Sequence, residues 1–226
     1  YSYKTNSLPW LINWFKDKGC YAEVVSGDEY ELAKWLKYQD DKIIINGPCK
    51  GAGNIASILN NDGIVNIDNL AELNWILEQE HTKEWRIGLR FNFDLEARCP
   101  GETLMGDEPG RFGFNVENGS LTAAINLIKH SKNIKLIGIH SHNSTKTKSL
   151  NIFRAIANKC VEIAKSHYLD LEYVDIGGGM FGDKPGAPTY NEYATIITEQ
   201  LRPYFSPKKT ALIIEPGAAL VASCFE

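Results

Sequence analysis

No stretch of the chain approaches the about 20 consecutive apolar residues that a membrane-spanning helix needs, and no secretory leader is read ahead of Tyr1. The net charge is −4, without a block of Lys and Arg, so the electrostatic footprint of a nucleic-acid binder is missing. The one local pair, Lys146 and Lys148, reads as a solvated loop. Five cysteines are present, but Cys20, Cys49, Cys99, Cys160 and Cys224 are scattered and never form a CxxC pair. That favours free thiols in a reducing, cytoplasmic compartment over a disulfide frame or a zinc site. No internal repeat is visible. A chain with 43% hydrophobic and 23% charged residues is not a disordered one. The sequence opens on Tyr1 and runs out at Ser223-Cys224-Phe225-Glu226, which reads as a piece of a longer protein.

What is present is an alternation. Short apolar, strand-like segments are expected at Tyr1 to Asn6, Tyr21 to Ser26, Lys42 to Gly47, Gly63 to Asp68, Arg86 to Asn92, Ile134 to His142, Tyr173 to Ile176 and Thr210 to Gly217. Between them lie segments of helical spacing: from Ser7 as a possible cap to Gly19, Asp28 to Leu36, Gly51 to Asn60, Asn69 to Gln79, Asn118 to His130, Leu150 to His167 and Tyr190 to Leu201. Leu32, Trp35 and Leu36 are expected to face inward on the second helix, and Leu70, Leu73, Ile76 and Leu77 on the fourth. Strand and helix in strict alternation imply a parallel sheet. Eight units in 226 residues, one domain over 1–226, favour a (β/α)₈ TIM-like barrel with its last helix truncated. The longest irregular stretch, Phe93 to Phe114, is of a length usually kept for function. In it Glu102, Asp107 and Glu108 are candidates to meet a substrate's distal amine, or are an exposed acidic rim.

Polar residues collect where such strands end: Lys4, Glu23 with Ser26, Arg90, His140 with His142, Gly177 to Gly179, and Glu215 with Gly217. In a barrel those carboxyl ends converge on one mouth, and the loops after strands seven and eight often bind phosphate. Three glycines after an apolar run let the backbone turn tightly and come close to an anion. An amine, an anion cradle and a buried carboxylate are what pyridoxal 5'-phosphate needs: the amine for its aldehyde, the cradle for its phosphate, and the carboxylate for its ring nitrogen. Taken singly, each residue has a plain alternative as a rim charge, a structural histidine or a turn.

Together these residues resemble the fold type III pyridoxal-phosphate decarboxylases, which include diaminopimelate, ornithine and arginine decarboxylases and share an alanine racemase-like barrel. Tyr1-Ser2-Tyr3-Lys4-Thr5-Asn6 is similar to the family's strand whose Lys forms the Schiff base with the cofactor. Ile139-His140-Ser141-His142 resembles the strand whose second His stacks on the pyridine ring. Asp175-Ile176-Gly177-Gly178-Gly179 resembles the phosphate-binding glycines, and Glu215-Pro216-Gly217 the motif whose Glu meets the ring nitrogen. Leu89-Arg90-Phe91-Asn92 and Arg111-Phe112-Gly113 fall in the family's order. The resemblance implies Lys4 and His142 as catalytic residues. It implies Lys4, Glu23, Arg90, His142, Thr145, Gly177, Gly178, Gly179, Glu215 and Gly217 as cofactor contacts, and no metal. It also implies a small amino-acid substrate of diaminopimelate or ornithine type, and a full-length homodimer carrying a carboxy-terminal β-domain that this chain does not contain. Three departures stand out. Ala218 replaces the Arg that usually follows Glu-Pro-Gly, His142-Asn143-Ser144-Thr145 stands for the usual His-x-Gly-Ser after strand six, and Glu23 stands where Asp is common. An amino-acid racemase on the same barrel, or a non-catalytic relative used for binding, stays open as an alternative.

Overall fold

The computed structural model describes residues 1–80, 82–104, 106, 110–182 and 184–221. In chain order these form α1 (Pro9–Asp17), β1 (Ala22–Val24), α2 (Gly27–Trp35), β2 (Ile43–Ile45), α3 (Ala52–Asn60), β3 (Ile64–Ile67), α4 (Leu70–Glu78), β4 (Trp85–Asn92), β5 (Phe114–Asn115), α5 (Ser120–His130), β6 (Ile134–His140), α6 (Leu150–Ser166), β7 (Tyr173–Asp175), α7 (Tyr190–Leu201), β8 (Ala211–Ile213) and a short α8 (Ala218–Val221). Every strand pairing is parallel, in the order β1-β2-β3-β4-β6-β7-β8, with β5 attached to β4 off that path. The expected first strand is not one. Residues Tyr3–Thr5 form a 3₁₀ turn, and only Ser2 pairs, in a bridge to Glu23.

That single bridge nonetheless brings the two ends of the sheet together. Glu23 N donates to Tyr1 O at 2.9 Å on one side, and Ser2 N donates to Pro216 O at 3.2 Å on the other. Gly217 lies so close to Thr5 that a Cβ there would sit 1.9 Å from Thr5 Oγ1, so the beginning and end of the chain pack as one wall. The curled parallel sheet with helices outside is the α/β barrel read from the alternation.

Helices start where capping side chains stand just past a strand. Ser26 accepts from Glu29 N at 3.2 Å while Glu29 Oε2 accepts from Val25 N at 2.7 Å, which starts α2 directly after β1. Thr189 and Glu192 make the same reciprocal box at α7. On α6, Ile152, Phe153, Ile156, Ala157, Cys160, Ile163 and Ala164 form one buried stripe. Each isoleucine there stabilises the fold by about 1.5–3 kcal/mol relative to exposure. Two inward assignments fail: Trp35 is 67% exposed and Leu70 52% exposed, and on α2 the buried residues are Tyr30 and Ala33 instead. Helix α1 begins at Pro9 with Leu8 at its cap rather than Ser7, because Pro at the first position presets the backbone angle.

One row across the sheet shapes the barrel interior. Asn66 on β3 is in register with Gly88 on β4, Gly88 with Gly138 on β6, and Gly138 with Tyr173 on β7. The two glycines leave room for the Tyr173 ring. A Cβ at Gly138 would lie 2.0 Å from Tyr173 Cζ, and one at Gly88 2.0 Å from its hydroxyl oxygen. Across the gap the Tyr173 hydroxyl donates to Asn66 Oδ1 at 2.6 Å.

Among the described residues Cys20, Cys49, Cys99 and Cys160 are free thiols, while Cys224 lies outside them. No described helix is long and apolar enough to cross a membrane.

Candidate active site

Residues separated by most of the chain meet at the carboxyl ends of the strands. Lys4, whose side chain is 38% exposed, points its Nζ at Glu23 Oε2 across 3.4 Å. Glu23 Oε1 accepts from Asn46 Nδ2 at 3.0 Å, and the same amide nitrogen donates to Glu215 Oε1. Asn46 thus bridges two buried carboxylates from opposite ends of the sheet. His140 Nε2 approaches Glu215 Oε1 to 3.5 Å, and His140, Asp175 and Glu215 present atoms that all lie within 4.8 Å of one another.

The two neighbouring acids divide the charge between them. Burial pushes the Asp175 carboxyl well above its usual range, the adjacent Glu215 charge adds to that, and the Gly177 N–H it accepts at 2.9 Å only partly offsets it. Burial also acts on Glu215, but the facing His140 and the Lys4 ammonium outweigh it and hold that carboxyl well below the usual carboxylate range. Of the two, Glu215 is the one held toward its ionised form and Asp175 the one pushed toward its protonated form. Among the described residues, Glu215 Oε2 and Asp175 Oδ2 are buried with no hydrogen-bond partner.

The glycine turn after β7 is built into this group. Gly177 and Gly179 take φ of +69° and +89°, a region that favours glycine. At Gly178 a Cβ would stand 2.3 Å from Glu215 O, so the turn lies directly against the last strand. Gly178 N donates to His142 Nδ1 at 3.1 Å, which leaves that nitrogen unprotonated. Burial, helped by the Lys4 charge, lowers the His142 pKa to about 3 from 6.5. His142 is a neutral ring beside the turn, and its 3.8 Å approach to Glu215 Oε2 is no ion pair.

Arg90 does not reach Glu215. Its Nη1 donates to Asp68 Oδ2 at 2.9 Å, and its Nη2 approaches His142 O at 3.4 Å. Asp68, which the motif reading passed over, also accepts from Gly113 N at 3.0 Å and so ties the long loop to the barrel. Thr145 sits in a two-residue bridge with Thr103 of that loop. Glu102 accepts from Thr147, so it is tied to its own loop partner, while Asp107 and Glu108 lie outside the described residues. A cleft of about 470 Å³ opens between the loop and the mouth, and Arg90, Asp94, Arg111, Phe112 and His142 are among its walls. Asn46, Asn66 and Asp68 were not singled out in the sequence, because nothing in their spacing tied them to Glu215 or Arg90.

A parallel α/β barrel with an amine, a shielded carboxylate and a glycine turn at one mouth defines the class: a cofactor-binding barrel. The chain belongs to the pyridoxal-dependent decarboxylase family, whose pyridoxal binding domain it matches over residues 1–222. It is 30% identical over 237 residues to the diaminopimelate decarboxylase of Methanocaldococcus jannaschii, an alignment covering 99% of this chain and 53% of that protein. It is 26% identical to an ornithine decarboxylase of Caenorhabditis elegans, over the whole chain and 52% of the relative. The crystal structure of the M. jannaschii enzyme superposes with a TM-score of 0.86 at 27% identity, over 98% of this chain and 54% of that one. The chain spans about half the length of the curated relatives it matches.

Proposed function

We propose that the protein containing this chain binds pyridoxal 5'-phosphate at the described mouth and decarboxylates an amino acid of the diaminopimelate or ornithine type. The observation that carries the reading is Glu215: a fully buried carboxylate kept ionised, with Oε1 held by Asn46 and Oε2 without a protein partner. A buried anion with one bare oxygen is costly unless a ligand's donor meets it, and the pyridine N–H of this cofactor is such a donor. The Lys4 amine and the glycine turn, which has no room for a side chain against Glu215, supply the other two fittings. Ala218 adds no charge for the phosphate, so the turn carries more of that task than in relatives with Arg there.

When bound, the cofactor supplies an electron sink conjugated to the substrate's α-carbon. Lys4 would hold the cofactor through its amine, beside Glu23. Glu215, held toward its ionised form, would meet the ring nitrogen and favour its protonated, electron-poor state. His142, neutral and wedged against Gly178, offers an uncharged flat face, so no added positive charge competes with Glu215. Arg90, paired with Asp68, holds the His142 backbone and lines the cleft beside it. The cleft beside His142 receives the side chain of the substrate, and the M. jannaschii relative, crystallised with L-lysine, supports a substrate with a distal amine. Catalysis is proposed for the full-length protein as a homodimer, with this chain as its cofactor-binding part.

Titration with pyridoxal phosphate tests the reading first. Binding should produce the visible absorbance of the cofactor joined to a lysine amine, and Lys4→Ala should abolish it. Full-length protein should then release carbon dioxide from diaminopimelate or ornithine. Loss of optical rotation without carbon dioxide release would make it a racemase, and no binding at millimolar cofactor would leave a binding scaffold.

A further inference from the structure

A polar chain continues from Glu215 into the centre of the barrel, past the residues that the proposed function uses. Tyr173 O–H donates to Asn66 Oδ1 at 2.6 Å, Asn66 Nδ2 donates to Asn46 Oδ1 at 2.9 Å, and Asn46 Nδ2 donates to Glu215 Oε1 and to Glu23 Oε1. All the links are buried and come from five different strands or strand ends. The direction of the chain is determined by its end groups. A carboxylate can only accept, so Asn46 must present its amine to both acids and its carbonyl to Asn66. Asn66 must then present its carbonyl to the phenol, which donates. Burial raises the Tyr173 pKa well above its usual value, so the phenol keeps its proton and stays a donor. Hydrogen bonds aligned head to tail polarise one another, and here every dipole points its positive end at Glu215. Asp175, the neighbouring acid, is not a member of this amide chain; it accepts from Gly177 N–H and lies against Glu215.

We infer that Tyr173, Asn66 and Asn46 are positioning residues that hold the Glu215 carboxylate in place and aim its second oxygen at the cofactor. The inference rests on the proposed cofactor site. Space in the interior is reserved for the chain: Gly88 and Gly138 are the positions at which any side chain would strike the Tyr173 ring, and at Gly88 also Asn66 Oδ1, at 2.1 Å. The titratable groups facing Glu215 include Lys4, Glu23, His140, His142 and Asp175, whereas the Asn46 amide that reaches it cannot titrate.

The test is a double-mutant cycle read on pyridoxal phosphate affinity, measured by cofactor absorbance and protein fluorescence, with no turnover assay. Tyr173→Phe keeps the ring in its slot and removes only the hydroxyl. It should weaken cofactor binding about three- to tenfold, the range of one buried hydrogen bond. In a Glu215→Gln background the same change should cost less than about twofold, because the anion it serves is gone. A purely structural role would lower affinity equally in both backgrounds, and that result overturns the inference. So does Tyr173→Phe binding as tightly as the wild type. Should Tyr173→Phe fail to fold, the paired change Tyr173→Phe with Asn66→Leu removes both hydrogen-bonding partners for an apolar pair of similar shape and enters the same cycle. Wild-type binding that depends on Lys4 and Glu215 but ignores Tyr173 removes this inference and leaves the proposed function. Absence of wild-type binding removes both.

Discussion

Adding one methyl group at Gly138 is the sharpest perturbation of the barrel interior. A Cβ there would lie 2.0 Å from Tyr173 Cζ and 2.3 Å from both Cε atoms, well inside van der Waals contact. The ring cannot swing away freely, since it is 4% exposed and its hydroxyl is tied to Asn66. Either the backbone of β6 moves, at the about 1–3 kcal/mol usual for overpacking, or the ring leaves Asn66 and strands a buried acceptor, at about 1–3 kcal/mol more. Gly138→Ala should therefore destabilise the protein by about 2–5 kcal/mol, a large share of the about 5–15 kcal/mol typical of a folded domain. Urea unfolding followed by circular dichroism would show the midpoint fall at unchanged slope. Shrinking the ring in the same chain, as Gly138→Ala with Tyr173→Leu, should recover part of the loss, since the clash is pairwise. A Gly138→Ala protein within about 1 kcal/mol of the wild type, or one equally impaired with either residue at 173, would refute the packing described here.

Asp68→Ala should cost about 3–5 kcal/mol in the same unfolding assay, because it leaves the buried Arg90 guanidinium unpaired and releases Gly113 N. Gly178→Ala should destabilise by about 1–3 kcal/mol and weaken pyridoxal phosphate binding at least tenfold, since its methyl would meet Glu215 O at 2.3 Å; unchanged cofactor affinity would count against the glycine turn as part of the site. His142 supplies a pH test. Its folded pKa, about 3, lies below the unfolded value of 6.5, so the unfolded chain binds more protons in that window and stability is lost as pH falls from 6.5 towards 3. His142→Asn should flatten this part of the stability profile relative to the wild type, and two parallel profiles would disprove the neutral, buried imidazole.

The strand and helix alternation was readable because its causes are local. Apolar runs such as Ile43–Ile45 and Tyr173–Ile176, capping side chains such as Ser26 and Thr189, and the triple glycine all act within a few residues of themselves. Lys4, Glu23, His142, the glycine turn and Glu215 were legible as one set because a parallel barrel carries every strand's carboxyl end to the same mouth. Contacts between strands were not legible in that way. That the first strand would shrink to the Ser2 bridge depends on Pro216 and Glu23 meeting it, and no propensity within Tyr1 to Asn6 contains that information. Trp35 reads as a core residue by its hydrophobicity, yet it faces solvent because the inward stripe of α2 is decided by the angle at which that helix packs.

The same division holds at the site. The order of residues along the chain determined which chemical groups the mouth would contain: an amine, carboxylates, imidazoles and bare backbone. Only the tertiary structure decided which of them pair. Asn46 reaches Glu215 across 169 positions of chain and joins it to Glu23, Arg90 goes to Asp68 rather than to Glu215, and Tyr173 reaches Asn66 over two glycines. The reason is that side-chain type and local spacing are properties of a segment, whereas a buried hydrogen bond also depends on sheet register and curvature, which exist only once all the strands are in place.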